Sequence, residues 1–97
     1  MKSIFISFHS QYAERIEGIL ENVGVKEFIE VPKAVGGDIT GKYFDTQVWP
    51  GYYSAIFIFA LNDDAADEVF NKLKEFKEAR EAHKHINIVR FCVEKAG

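Results

Sequence analysis

The residues able to do chemistry gather in three stretches. The first is Gly36-Gly37-Asp38-Ile39-Thr40-Gly41-Lys42. Glycines let backbone N–H groups come close to an anion, and Lys42 supplies a countercharge. The spacing is not that of a Walker A loop, and no helix signal follows it. The run is therefore either an anion site built from Gly36, Gly37, Gly41 and Lys42 or the tip of a hairpin that holds nothing. The second stretch is Asp45-Thr46-Gln47-Val48-Trp49-Pro50-Gly51-Tyr52-Tyr53. Trp49 and the tyrosines combine large area with a polar handle, which suits a ligand pocket or a subunit contact. The other reading of Trp49 is an anchor that returns the loop to the core. The third is His83-Lys84-His85. In extended chain the two imidazoles point the same way and could share a metal, with His9 or a carboxylate from another chain completing it. Solvated turn histidines are the alternative. Cys92 has no base beside it in sequence and reads as a small buried hydrophobe. No nucleophile comes with an assigned base, so the chain is expected not to be an enzyme.

The elements that must hold these residues follow from periodicity. Residues 2–9 alternate Ile4, Ile6 and Phe8 against Ser3, Phe5, Ser7 and His9, a strand. Ser10 offers an N-cap, and Tyr12, Ile16, Ile19, Leu20 and Val23 make one helical stripe, closed by Gly24. A second strand is expected over 27–35, bent or at an edge at Pro32, which lacks an N–H. Residues 36–50 show no clean period and form a long connection. Residues 51–61 form a continuous apolar strand. Asn62, Asp63 and Asp64 then cap a helix bearing Ala66, Val69, Phe70, Leu73 and Phe76 on one face. A last strand covers 86–93. The order β-α-β-β-α-β predicts an α+β, ferredoxin-like domain spanning 1–97: a four-stranded antiparallel sheet with both helices on one face.

Composition narrows the classes. The 97 residues are 47% hydrophobic, with nine Phe, and carry 12 Lys+Arg against 15 Asp+Glu for a formal charge of -3. That excludes intrinsic disorder and disfavours a basic nucleic-acid module. There is no apolar run long enough for a membrane span. A single cysteine rules out a disulfide framework and points to a reducing, cytoplasmic setting. In the third strand Tyr53, Ala55, Phe57, Phe59 and Leu61 are placed on one face, with Ile56, Ile58 and Ala60 on the other. The last strand opposes Ile86, Ile88 and Cys92 to Val89, Phe91 and Val93, interrupted by Arg90. A sheet wetted on one face should alternate apolar with polar. The face away from the helices is therefore expected to be buried in a homo-oligomer, or else to form a concave surface for a small apolar ligand.

The element order, the double-faced sheet and the long connection between the second and third strands resemble the nitrogen-regulatory PII and PII-like signalling proteins. The segment Thr46-Gln47-Val48-Trp49-Pro50-Gly51-Tyr52-Tyr53-Ser54-Ala55-Ile56-Phe57 is similar to the Trp-Pro-Gly lead into the third strand of short PII-like proteins. The resemblance implies a cytoplasmic homotrimer with its sheets packed inward. It also implies an adenine nucleotide between subunits, held by the base of the loop after the second strand, by a Gly-Lys loop before the last strand and by C-terminal basic residues. The loop base corresponds here to residues 33–38. Gly36 matches the expected glycine, and Gly37 stands where the family carries an arginine. Residues 78–85 hold no glycine, and Arg90 is the basic residue left in the last strand. CutA-like trimers share the architecture, and the pair His83 and His85 would suit their divalent-metal chemistry. The reading is a regulatory trimer that senses a nucleotide or other anion and signals through residues 36–50 to a target protein. A CutA-like metal-binding or metal-tolerance protein and a purely protein-binding structural trimer are the alternatives. The site residues are Gly36, Gly37, Gly41, Lys42, Trp49 and Arg90, with His83 and His85 for a metal.

Overall fold

The structure is a computed structural model, and it describes residues 1–34, 36–38, 41–43, 53–79 and 86–97. Trp49, His83 and His85 lie outside them.

Strand β1 (Lys2–His9) leads through a 3-10 turn (Ser10–Tyr12) into helix α1 (Ala13–Asn22). Strand β2 (Phe28–Ala34), the short strands β3 (Gly36–Asp38) and β4 (Gly41–Tyr43), and strand β5 (Tyr53–Leu61) follow. Helix α2 (Asp63–Glu78) and strand β6 (Ile86–Cys92) complete the chain. Four strands pair antiparallel in the order β2-β5-β1-β6, while β3 and β4 form a separate two-stranded ladder. The four-stranded sheet and two helices are the expected ferredoxin-like arrangement. The β3–β4 ladder lies in the stretch where the sequence shows no clean period. A three-residue strand of Gly-Gly-Asp has no alternating hydrophobicity to announce it.

The core lies between sheet and helices. Ile4, Ile6 and Phe8 of β1, Ile56 and Ile58 of β5 and Ile86 of β6 are fully buried against Ile16 and Leu20 of α1 and Val69 and Leu73 of α2. Each such side chain contributes about 1.5–3 kcal/mol of transfer free energy. Tyr12, at the end of the 3-10 turn, meets Phe76 of α2 edge to face at 5.9 Å.

The helix ends show how local residues set the boundaries. Gly24 sits at φ 81°, the N–H of Val25 donates to the Leu20 carbonyl at 2.9 Å, and that of Gly24 donates to Glu21 at 3.1 Å. This is a Schellman close, as the glycine implied. Asn62 Oδ1 accepts from the Ala65 N–H at 2.8 Å and caps α2, whose first turn carries Asp63 and Asp64. The first helix start departs from expectation. His9, not Ser10, accepts from a backbone N–H, through Nδ1 from Gln11 at 3.1 Å. The 3-10 turn draws Ser10 into the element and moves the cap back one residue.

Two irregularities also correct the strand reading. Leu61 pairs with Lys2 while Ile58 pairs with Ile4, so β5 holds one extra residue. The slip turns Leu61 from the Phe57 face to the core, where it packs. Register in β2 shifts between Val31 and Ala34, around Pro32, on an edge strand as anticipated. The buried Ser54 hydroxyl donates to the Pro32 carbonyl at 3.0 Å and secures the bend.

Candidate functional site

The glycine run folds into a ladder that pairs Gly36 with Tyr43, Gly37 with Lys42 and Asp38 with Gly41. Three of its six residues lack a Cβ, which lets a ligand approach the hairpin backbone closely. The ladder also sets Lys42 directly across from Gly37, so a cationic residue stands opposite the bare stretch. Thus Gly36, Gly37, Gly41 and Lys42 are brought together.

Arg90 belongs elsewhere in the chain. It follows Ile86 and Ile88 on the helix-facing side, hydrogen-bonds the Asp67 carboxylate, and lies 5.2 Å over the Phe70 ring. Both partners are on α2. Its strand is the edge opposite β2, and its register partner is Ile4, whereas β2 leaves the sheet where Tyr53 meets His9. That places Arg90 about 14 Å across the sheet and about 17 Å along it from the hairpin's root. Within one chain, Arg90 and the glycines do not form one site.

The sheet face away from the helices carries apolar side chains on all four strands, with Ser3, Ser7 and Asn87 among them. Phe5, Ile29, Val31, Phe59, Val89 and Phe91 are exposed there. The ring of Phe57, at their centre, meets Phe59 at 5.2 Å and Phe91 at 5.9 Å. An open recess of about 490 Å³ runs from Phe57, Phe59 and Phe91 to Ser3 and the C-terminal residues. The doubled apolar pattern of the sequence is thus an uncovered surface in the isolated chain.

Cys92 is exposed, not buried. It lies directly across the β1–β6 ladder from Lys2, whose ammonium Nζ is 3.0 Å from Sγ. That hydrogen bond, then the positive charge of Lys2, holds the thiol below its usual range. Sequence neighbours could not reveal a partner ninety positions away. A recess of about 460 Å³ is lined by Glu17 on α1 and Glu30 on β2, and burial first, then Glu17, pushes the Glu30 carboxyl up. Among the described residues no three His, Cys, Asp or Glu side chains form a metal-binding group. No described helix is long and apolar enough to cross a membrane.

No protein-family model matches the sequence, and neither does any curated protein. Solved structures do match. CPII from Thiomonas intermedia K12, a nitrogen regulatory PII-like protein bound to ADP, AMP and bicarbonate, superposes with a TM-score of 0.65 at 18% identity, over 97% of this chain and 88% of that one. The apo form of CPII gives 0.61 at 18% identity, over 95% and 89%. A candidate PII-like signalling protein from Thermus thermophilus gives 0.59 at 14% identity, over 93% and 81%. The chain has the fold of the PII-like nitrogen regulatory proteins.

Proposed function

We propose that this chain is a PII-like regulatory protein and not an enzyme. It assembles as a cytoplasmic homotrimer through the open sheet face and binds an adenine nucleotide or another anion at the β3–β4 hairpin. A target protein reads the state of residues 36–50. The observation that carries this reading is a glycine-rich hairpin with Lys42 opposite Gly37, inserted between β2 and β5 of a sheet whose outer face is apolar. The PII-like fold supports it, as does the adenine nucleotide in one protein that shares that fold.

The mechanism is a population shift. Fixing backbone costs about 1–2 kcal/mol per residue, so a ligand that favours one arrangement of the hairpin must offset that cost. A ligand that contacts the hairpin amides and the Lys42 ammonium only in the ordered arrangement moves the chain toward that arrangement. The size of the change equals the ligand's difference in affinity for the two states. Isothermal calorimetry with ATP, ADP and AMP tests the site. Heat that saturates, and a weaker affinity in Lys42→Ala, are expected. No heat with any of the three rejects nucleotide binding.

A further inference from the structure

Ser3 of β1 is only 3% exposed, yet its hydroxyl has no hydrogen-bond partner among the described residues. The other buried serine, Ser54, donates its hydroxyl to the Pro32 carbonyl. A buried hydroxyl that has given up water without replacing it lowers stability, so one left unpaired calls for a reason. Its place in the sheet supplies one. Ser3 faces away from the helices and lies across the ladder from Phe91. On its other side it stands opposite the bulge of β5, where Phe59 and Ala60 meet a single residue of β1. Bulges re-aim side chains and gather beside binding sites. Ser3 also lines the recess of about 490 Å³ that Phe57, Phe59 and Phe91 wall. We propose that this recess binds a small, uncharged aromatic molecule carrying one hydrogen-bonding group. The ring of that molecule packs on the phenylalanines, and its polar atom pairs with the Ser3 hydroxyl.

The lining sets the class of ligand. Small-molecule sites span about 300–1,000 Å³ and combine apolar walls with a few placed polar groups, as this recess does. The Phe57 ring stands at 75° to Phe59 and at 46° to Phe91, so the walls offer both ring edges and ring faces to a planar guest. The charged side chains in the lining are Glu94 and Lys95, one of each sign, which leaves nothing to favour an ion. A serine hydroxyl both donates and accepts, so a phenol, an alcohol or an amide satisfies it. Ser3 is covered closely enough that a slim polar group reaches it better than the flat face of another protein. The site is also separate from the hairpin. Ser3 precedes His9, beside the hairpin's root, by six residues, about 20 Å of strand.

The test titrates the native protein with naphthol and, separately, with naphthalene, two molecules alike in shape that differ by one hydroxyl. Phenylalanine ring signals and the amides of β1, β5 and β6 are followed by NMR. Saturable shifts centred on Ser3, Phe57, Phe59 and Phe91 are expected with both. The affinity of naphthol relative to naphthalene should be about three- to tenfold higher in the native protein than in Ser3→Ala, the share of one hydrogen bond. The variant loses no internal hydrogen bond, so it should melt no lower than the native protein. Absence of saturable shifts in the recess overturns the site, and a second copy filling it gives that result. An affinity ratio unchanged by Ser3→Ala overturns the part given to the hydroxyl. Nucleotide binding is read at the hairpin residues, so failure there is distinguishable from failure here.

Discussion

Replacing Phe59 by Asp should abolish self-association while leaving the subunit folded. Six residues of the open face, Phe5, Ile29, Val31, Phe59, Val89 and Phe91, are 38–55% exposed. At about 170 Å² for each large side chain, they leave about 450 Å² of apolar surface uncovered per protomer. Covering it contributes about 11 kcal/mol at ~25 cal/mol/Å². That offsets an association cost of about 4–15 kcal/mol only when most of the face is used. Aspartate removes about 2 kcal/mol of that transfer term and asks for burial of an unpaired carboxylate, a further cost of several kcal/mol. Association should weaken by at least about 1,000-fold, since each 1.4 kcal/mol is tenfold. The fold loses little, because Phe59 faces outward and gives up an edge-to-face contact with Phe57 worth about 1 kcal/mol. Sedimentation equilibrium at micromolar concentration reads the outcome, with thermal melting as the control for folding. The native chain should sediment at three times 11.1 kDa and Phe59→Asp at 11.1 kDa. A native chain that sediments as a monomer rules out assembly through this face, and so does an unchanged assembly in the variant.

Two further outcomes follow from local geometry. Gly24→Ala should cost about 1 kcal/mol in urea unfolding, because φ 81° is left-handed backbone; nothing lies within 4 Å of the added Cβ, so crowding is not the cause. An unchanged midpoint would remove the conformational explanation. Alkylation of Cys92 should reach half its maximal rate at a pH below that of an ordinary thiol, and Lys2→Gln should move that midpoint upward, since the Lys2 ammonium favours the thiolate. Identical profiles would show that Lys2 does not act on the sulfur.

The sheet and helices are legible in the sequence because their signals are local and repeated. Ile4, Ile6 and Phe8 alternate, and Ile16 and Leu20 are separated by one helical turn. Asn62 and Gly24 are residues whose side chain, or lack of one, ends a helix. The open apolar face is legible too, since β5 has no polar alternation to spend on water. What escapes depends on pairing between distant residues. Leu61 changes face through a register slip set by β1, which no pattern within β5 encodes. Cys92 reads as a core residue until its position on an edge strand opposite Lys2 is known. Glu17 and Glu30 come to line one recess only once α1 and β2 are placed, which no local pattern shows. The glycine run stands out as chemistry-bearing, yet its ladder does not, because a strand of glycines carries no side-chain period. Arg90 shows the converse: its charge draws notice in sequence, while its partners Asp67 and Phe70 emerge only from helix packing.

The proposed function requires that an anion such as an adenine nucleotide engage the β3–β4 hairpin. The most direct measurement is a backbone-amide NMR titration of the native assembly with ADP. Saturable shifts concentrated in Gly36–Asp38 and Gly41–Tyr43 are expected, with the Lys42→Ala variant requiring more ADP to reach them. Shifts confined to the recess around Ser3, Phe57 and Phe91, or none at all, would contradict it.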